Sequence, residues 1–176
     1  MRFTPTPLAG TYLIDFDAHI DARGMFARAF CVQEFAAQGL ETSFVQSNIS
    51  TNTQAGTVRG LHFQRAPHAE VKLVRCVKGA VYDIVVDMRE ESSTYLRWFG
   101  TELSDRNGTM MYVPKGFAHG YQALSDGATA FYMVSTCYAP QAEGGLRYDD
   151  PKLAIKWPRA VSEISDKDAG WPLLRV

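Results

Sequence analysis

The sequence has no surplus of either charge and no long apolar stretch, and both absences exclude whole classes of protein. Its 18 basic and 19 acidic side chains give a net charge of −1 over 176 residues. A nucleic-acid-binding protein needs a basic surface to neutralise phosphates, so we expect no nucleic-acid partner. No segment approaches the roughly 18 apolar residues that cross a bilayer, so we expect no membrane partner. The segment from Met1 to Pro5 lacks the apolar run of a secretory signal, and none is expected.

Cysteine is scarce as well. The three cysteines, Cys31, Cys76 and Cys137, are odd in number, far apart and never in a C-x-x-C pair. This spacing predicts neither a disulfide framework nor a thiolate metal site. A reducing cytoplasm is therefore the expected location.

Helical periodicity is rare, and short strands separated by turn residues are abundant. One short helix is predicted over 32–38, with Gly39 ending it. The predicted strands are 12–16, 57–64, 71–77, 80–87, 110–113, 121–124 and 128–136. Strands at such spacing without intervening helices indicate an all-β antiparallel sandwich or barrel, here a single domain over residues 1–176.

Two glycine-containing turns predict β-hairpins. A two-residue turn at Lys78-Gly79 would bring Lys72 and Asp83 onto one face as diagonal neighbours, either as a buried ion pair or as the lining of a polar cavity. A turn at Asp126-Gly127 would place His119 and Tyr132 together in the same way. Either register could slip by one residue, which would separate these groups.

A metal site is the first functional hypothesis to test, because barrels often hold a metal ion on two strand histidines one residue apart. Residue 64 is Gln64, so the pair that would start at His62 is missing. His68 follows Pro67 in a predicted loop, and a set that includes it and Glu70 would have to be forced. Neither a metal nor any other cofactor is expected.

Several segments together resemble the dTDP-4-dehydrorhamnose 3,5-epimerase family. The most specific are R-G-L-H at 59–62 and G-F-A-H-G at 116–120. Further matches are D-x-R-G-x-F at 21–26, Q-x-N-x-S at 46–50, K-L-V-R at 72–75, Y-x-P at 138–140, D-D-P at 149–151, W-P at 157–158 and S-x-K-D at 165–168. They run in order from about residue 10 to the C-terminus, so the resemblance covers almost the whole chain.

The resemblance implies a metal-free jelly roll of the cupin type, that is, a double-stranded β-helix with a few short helices. It also implies a homodimer that exchanges N-terminal strands, here within about residues 1–50. The implied substrate is a nucleoside-diphosphate 4-keto-6-deoxyhexose, which the family epimerises at C3 and C5 in making rhamnose and related sugars.

The resemblance also implies a role for each matching residue. His62 would be the base, Asp168 its orienting carboxylate, Tyr132 the proton donor on the opposite sugar face, and Lys72 the contact of the 4-keto oxygen. Arg59 would hold the diphosphate and Tyr138 would stack on the nucleobase. The remaining predicted substrate-binding residues are Arg23, Phe26, Arg28, Gln46, Asn48, Asp83, His119 and Lys167.

These residue types suit the implied chemistry. Removal of a proton beside a ketone needs a base of near-neutral pKa, and histidine is the natural choice. The charge that develops on the keto oxygen needs a preorganised donor, and a phenol can return the proton from the other side.

One detail of the strand conflicts with these roles. Arg59 and His62 are three residues apart, so an ideal strand would aim them at opposite faces. A β-bulge at Gly60 would bring them to the same side.

Arg28 departs from the family, which usually has an acidic residue there. A carboxylate can accept a hydrogen bond from thymine N3–H, whereas a guanidinium can only donate. One hypothesis is therefore a nucleotide other than dTDP, such as CDP or GDP; the other is that Arg28 points elsewhere or contacts phosphate. Met133 and Cys137 also differ from the polar or aromatic residues expected there, which leaves the exact sugar open.

Three alternatives remain at this point. The first is an epimerase of C3 or C5 only, the second a catalytically silent cupin that binds sugar nucleotides, and the third a metal-dependent cupin oxygenase.

Overall fold

Short strands are the main regular secondary structure in the computed structural model, which describes residues 1–175. In chain order the strands are β1 (Arg2–Pro5), β2 (Tyr12–Asp15), β3 (Ala18–Asp21), β4 (Gly24–Ala27), β5 (Gln46–Thr51), β6 (Val58–Gln64), β7 (Lys72–Lys78), β8 (Ala80–Asp87), β9 (Trp98–Ser104), β10 (Met110–Val113), β11 (Phe117–Ala123), β12 (Thr129–Val134) and β13 (Glu143–Gly145). The α-helices are α1 (Val32–Ala37) and α2 (Asp166–Ala169), and a 3-10 turn covers Pro140–Ala142. Neither α-helix is long and apolar enough to cross a membrane.

The strands form two antiparallel sheets. The large sheet has the order β1-β2-β10-β7-β12-β5 and the small sheet the order β13-β6-β11-β8-β9, while β3 and β4 pair only with each other. Apolar side chains from both sheets meet in one buried cluster, for example Val74 and Met111 of the large sheet with Val85 and Phe117 of the small sheet. Sheets packed face to face in this way confirm the predicted all-β jelly roll.

Strand β8 shows how the fold creates a polar cavity inside an apolar core. Val81 and Val85 point into the space between the sheets, and Ile84 and Val86 pack on the outer side of the small sheet. The strand is therefore buried on both faces, which explains its nearly continuous apolar sequence. Asp83 lies on the inner face and is 0% exposed, so it must have a polar partner inside the sandwich.

Most of the predicted elements are confirmed. The helix, its end at Gly39 (φ +68°) and all seven predicted strands are present, with boundaries shifted by at most four residues. Strands β1, β3, β4, β5, β9 and β13 were not predicted. All four residues of β3, including His19, are exposed, and a strand without a buried face lacks the apolar alternation that identifies a strand from the sequence.

Both predicted hairpins are wrong. Gly79 (φ +70°) and Gly127 (φ +69°) do make tight turns, but each turn is a corner where the chain crosses from one sheet to the other. The corners support each other, because the Ala80 amide donates to Ser125 Oγ at 3.1 Å. A turn motif specifies only local backbone conformation, and nothing in it decides whether the flanking strands stay in one sheet.

The predicted bulge at Gly60 is confirmed. His119 pairs with His62 and Tyr121 pairs with Arg59, so β6 contains one more residue than β11 over this stretch. Gly60 has φ +117°, and a Cβ there would lie 2.6 Å from the Gly120 Cα. The bulge therefore depends on a residue without a side chain.

We expect the Gly60→Ala substitution to lower the free energy of unfolding by roughly 2–4 kcal/mol, through backbone strain and the clash with Gly120. Urea unfolding measures this change. Gly39→Ala is the matched control, since Gly39 also has a positive φ but a Cβ there meets nothing within 4 Å. Equal losses for the two variants would show that close approach at Gly60 has no energetic role.

Candidate active site

Most of the polar residues predicted from the motifs line one cavity between the sheets. Its first part measures about 440 Å³, and a second part of about 240 Å³ shares some of the same lining residues. His62, Lys72, Tyr132 and Lys167 line both parts. Gln46, Asn48 and Tyr138 line the first part, whereas Arg59, His119 and Asp168 line the second.

His62 and Asp168 form a dyad. The His62 Nε2 lies 2.6 Å from Asp168 Oδ1, and the Gly60 amide donates to Asp168 Oδ2 at 3.0 Å. Asp168 is placed by α2, whose first turn is capped by Ser165 through the Asp168 amide. Burial would raise the pKa of Asp168, but the hydrogen bonds from His62 and Gly60 outweigh it and hold this pKa below its usual range. An ionised carboxylate on Nε2 leaves Nδ1 as the nitrogen that can accept a proton.

We expect Asp168→Asn to lower kcat by about 10²–10⁴-fold, because an amide no longer fixes the tautomer of His62 or stabilises its protonated form. Steady-state kinetics of epimerisation measures this loss. Asp166→Asn is the control, since Asp166 lies on the same short helix and is exposed. Unchanged kinetics in Asp168→Asn would remove the dyad from the mechanism.

Tyr132 approaches the cavity from the opposite side. It lies on β12 of the large sheet, whereas His62 lies on β6 of the small sheet, so a ligand between the sheets has one of them on each face. Burial, with smaller contributions from Tyr121 and Glu70, raises the pKa of Tyr132 above its usual value. The phenol is therefore protonated at neutral pH and able to donate.

His119 has the buried partner that Asp83 required. Its Nε2 lies 2.7 Å from Asp83 Oδ1, and both side chains are almost fully buried. The predicted placement of Lys72 and Asp83 as neighbours on one hairpin is wrong, because they lie on different sheets and Asp83 pairs with His119 instead. His119 and Tyr132 do line the same space, but across the sandwich rather than along one hairpin.

Lys72 instead contacts two groups near the start of β7. Its Nζ lies 3.2 Å from Glu70 Oε1 and 3.4 Å from the His62 carbonyl oxygen. The other Glu70 oxygen accepts a hydrogen bond from Gln64 Nε2 at 3.0 Å. Sequence reasoning missed Gln64 and Glu70 as members of the site. Gln64 lies two residues after His62 and Glu70 lies two residues before Lys72, and this spacing is the signal that could have identified them.

Polar groups suited to a nucleotide lie where the site meets solvent, around the exposed residues Arg59 and Tyr138, and we call this its outer part. Arg59 is fixed by Nε donation to Asn52 Oδ1 at 2.8 Å. The Tyr138 amide donates to Gln46 Oε1 at 2.7 Å, and Tyr138 as a whole is 56% exposed. A further residue that sequence reasoning missed, Glu143, accepts from Tyr138 Oη at 2.9 Å and from Lys167 Nζ at 2.6 Å.

Four predicted binding residues do not line the cavity: Asp83, which contacts it only through His119, and three residues of the N-terminal segment. Arg23 and Phe26 are on the β3–β4 hairpin and Arg28 follows it directly, and none of the three lines the cavity. Arg28 Nη1 is 3.4 Å from Glu34 Oε1, an exposed ion pair that is weak by its nature.

No group of three or more histidine, cysteine, aspartate or glutamate side chains with metal-binding geometry occurs within residues 1–175. Gln64 illustrates the difference from a metal-binding barrel, because its amide is occupied by Glu70 and by the Ala139 amide, which donates to Oε1 at 2.6 Å.

A jelly roll with a histidine–aspartate dyad, an ammonium group and a phenol around one cavity defines a class of acid–base catalysts. Residues 5–175 match the family model for dTDP-4-dehydrorhamnose 3,5-epimerase, and the chain belongs to this family.

Curated relatives and a solved structure agree with the family match. The chain is 41% identical to the dTDP-4-dehydrorhamnose 3,5-epimerase of Methanothermobacter thermautotrophicus over 177 residues, covering 99% of this chain and 95% of that protein. It is 40% identical to the dTDP-4-dehydrorhamnose 3-epimerase of Streptomyces niveus over 169 residues, covering 96% and 81% respectively. The crystal structure of dTDP-6-deoxy-D-glucose-3,5-epimerase from Legionella pneumophila, in complex with dTDP-4-keto-L-rhamnose, superposes with a TM-score of 0.92 at 36% identity, covering 98% and 92%.

Proposed function

We propose that this protein inverts C3 and C5 of dTDP-4-dehydro-6-deoxyglucose to give dTDP-4-dehydrorhamnose, without a metal or other cofactor. The observation that carries the proposal is the placement of the His62–Asp168 dyad and Tyr132 on opposite walls of one cavity that Lys72 also lines. Family membership and the sugar-nucleotide complex of the Legionella pneumophila relative support the choice of substrate.

The proposed reaction begins with proton transfer from carbon to His62 Nδ1. The electron pair of the C–H bond forms a double bond to C4, and the carbonyl π pair moves onto the 4-keto oxygen. The Lys72 ammonium stabilises the charge of the resulting enolate by roughly 3–4 kcal/mol. Tyr132 then donates its phenolic proton to the carbon from the other face, which inverts the centre. His62 gives up its proton and Tyr132 regains one through solvent, so the enzyme returns to its initial state.

A single base can serve both carbons. In the chair form of a gluco-configured hexose, the hydrogens at C3 and C5 are both axial and lie on the same face of the ring. Both carbons flank the same C4 ketone, so each inversion passes through an enolate on the same oxygen. We assign His119, held by Asp83, to the sugar part of the site, Arg59 and Lys167 to the diphosphate, and Gln46, Asn48 and Tyr138 to the nucleoside.

The product formed from dTDP-4-dehydro-6-deoxyglucose tests this proposal, with proton NMR coupling constants reporting the configuration at C3 and C5. Inversion at both carbons is the expected result. Inversion at one carbon only would narrow the activity to that of a mono-epimerase such as the Streptomyces niveus relative. Unchanged substrate after long incubation would contradict the proposal and favour a non-catalytic cupin.

We further propose a homodimer in which the N-terminal strands, within about residues 1–50, complete the partner's nucleotide site. The β3–β4 hairpin exposes Ile20, Met25 and Phe26 by 81%, 57% and 73%, an apolar patch that water does not favour. Arg23 and Phe26 are separated from the cavity of their own chain, and exchange between two copies would bring them to a cavity. A solution mass of twice 19.6 kDa by light scattering is expected, and a monomer would contradict the proposal.

The nucleotide preference follows from the same proposal. We expect dTDP to bind at least about tenfold more tightly than CDP, UDP or GDP, a difference of about 1.4 kcal/mol, in calorimetric titration. The Arg28–Glu34 pair supports this expectation because it offers Arg28 a partner other than the base. A preference for CDP or GDP would restore the hypothesis that Arg28 selects another base.

We also propose that residues 1–176 form a single domain that works in the cytoplasm. The three cysteines are free, as expected in a reducing compartment.

A further inference from the structure

The ammonium group of Lys72 has an arrangement that the proposed reaction does not explain by itself. A flexible four-carbon side chain normally loses entropy when it is fixed, and a catalytic donor must be fixed before the reaction begins. Lys72 lies at the first position of β7, on the large sheet, and its Nζ reaches across to the carbonyl oxygen of His62 on the small sheet. Its side chain is only 10% exposed.

Glu70 is the second anchor of this ammonium. Its side chain is 11% exposed and lines the cavity, where an unpaired carboxylate would be costly. One carboxylate oxygen faces Lys72 Nζ at 3.2 Å, and the other accepts from Gln64 Nε2 at 3.0 Å. A carboxylate that close to a developing enolate would repel it, so its presence needs a compensating role.

Gln64 is itself held in one orientation. The Ala139 amide donates to its Oε1, which requires Nε2 to face the other way, toward Glu70 and the His68 carbonyl oxygen at 3.0 Å. A chain of contacts therefore runs from the backbone at Ala139 through Gln64 and Glu70 to Lys72.

Donor counting shows what this chain achieves. An ammonium group has three N–H donors, and two of those of Lys72 are directed at Glu70 and at the His62 carbonyl. The third remains for the cavity. We propose that Glu70, supported by Gln64, is a positioning residue that fixes the Lys72 ammonium so that its remaining N–H meets the 4-keto oxygen. This role rests on the proposed epimerase function.

Kinetics of two Glu70 variants test the proposal. Glu70→Ala removes the anchor, and we expect kcat to fall by about 10–100-fold through misplacement of Lys72, with KM changed less than about threefold. Glu70→Gln keeps one side-chain oxygen that can accept a hydrogen bond, but its NH₂ group then faces a donor, either Lys72 Nζ or Gln64 Nε2. Its kcat should therefore lie between those of Glu70→Ala and the wild type. Glu91→Gln, at an exposed position in the β8–β9 loop, is the matched control and should match the wild type.

A double-mutant cycle with Lys72→Met separates positioning from direct action. If Glu70 acts through Lys72, Glu70→Ala will cause no further loss of rate in the Lys72→Met background. The low residual rate of these variants is measured as exchange of substrate hydrogen with solvent. A full 10–100-fold effect in that background would overturn the proposal, and so would a wild-type kcat in folded Glu70→Ala. Thermal unfolding of each variant shows whether a loss of kcat comes from misfolding. If Glu70→Ala misfolds, the kcat of Glu70→Gln alone decides whether Glu70 positions Lys72. Failure of the wild-type protein to turn over substrate would instead refute the proposed function.

Discussion

Replacement of His62 by alanine is expected to lower kcat for epimerisation by about 10³–10⁴-fold, the upper part of the range for loss of a general base. His62 lines both parts of the cavity together with Lys72 and Tyr132, its Nε2 is held by Asp168, and its side chain is 32% exposed. We do not expect His119 to replace it, because the His119 side chain is only 8% exposed and lines only the second part of the cavity. Product formation followed by NMR measures the loss.

Two comparisons make the His62 result interpretable. Affinity for dTDP should stay within about threefold of the wild type, because the nucleotide contacts lie in the outer part of the site. His68→Ala is the matched control, since the His68 side chain makes no hydrogen bond in the described part of the chain. Retention of more than a tenth of wild-type kcat in His62→Ala would show that another group takes the proton.

Removal of the Tyr132 hydroxyl is expected to separate proton removal from inversion. In Tyr132→Phe, His62 still removes the proton and can return a deuteron from solvent to the same face, so exchange continues without change of configuration. We expect product formation to fall by about 10²–10⁴-fold, while exchange falls much less. This follows from the positions of the two residues on opposite sheets.

NMR measures both rates for Tyr132→Phe in a single sample in D₂O. Tyr95→Phe, at a partly exposed position in the β8–β9 loop, should behave like the wild type. Equal losses of exchange and of inversion in Tyr132→Phe would contradict the assignment of Tyr132 as the second-face acid.

Local features of the fold were predictable from the sequence, and long-range pairing was not. The apolar runs of β7 and β8 and the glycine after α1 identify elements, because propensity and backbone conformation are local properties. Gly60 was also predictable, since Arg59 and His62 could share a side only through a bulge. The corners at Gly79 and Gly127 show the limit, because the same two-residue turn serves a hairpin and a crossing between sheets.

The candidate site shows the same division. Asp168 is 106 residues from His62, and only the resemblance to a family connected them before the structure showed the contact at 2.6 Å. Glu70 drew attention only as part of a forced metal set, because its partners Gln64 and Lys72 come from different sheets. Phe26 matches a family position and Arg28 departs from one, but neither lines the cavity of its own chain. In the proposed dimer they would reach the cavity of the partner.

Deuterium incorporation into dTDP-4-dehydro-6-deoxyglucose in D₂O tests the central claim most directly, with the wild type and His62→Ala compared by NMR at C3 and C5. The wild-type protein should exchange hydrogen at both carbons, and His62→Ala should exchange it at neither on the same timescale. Absence of exchange with the wild-type protein, or equal exchange by both proteins, would contradict the assignment of His62 as the base of an epimerase.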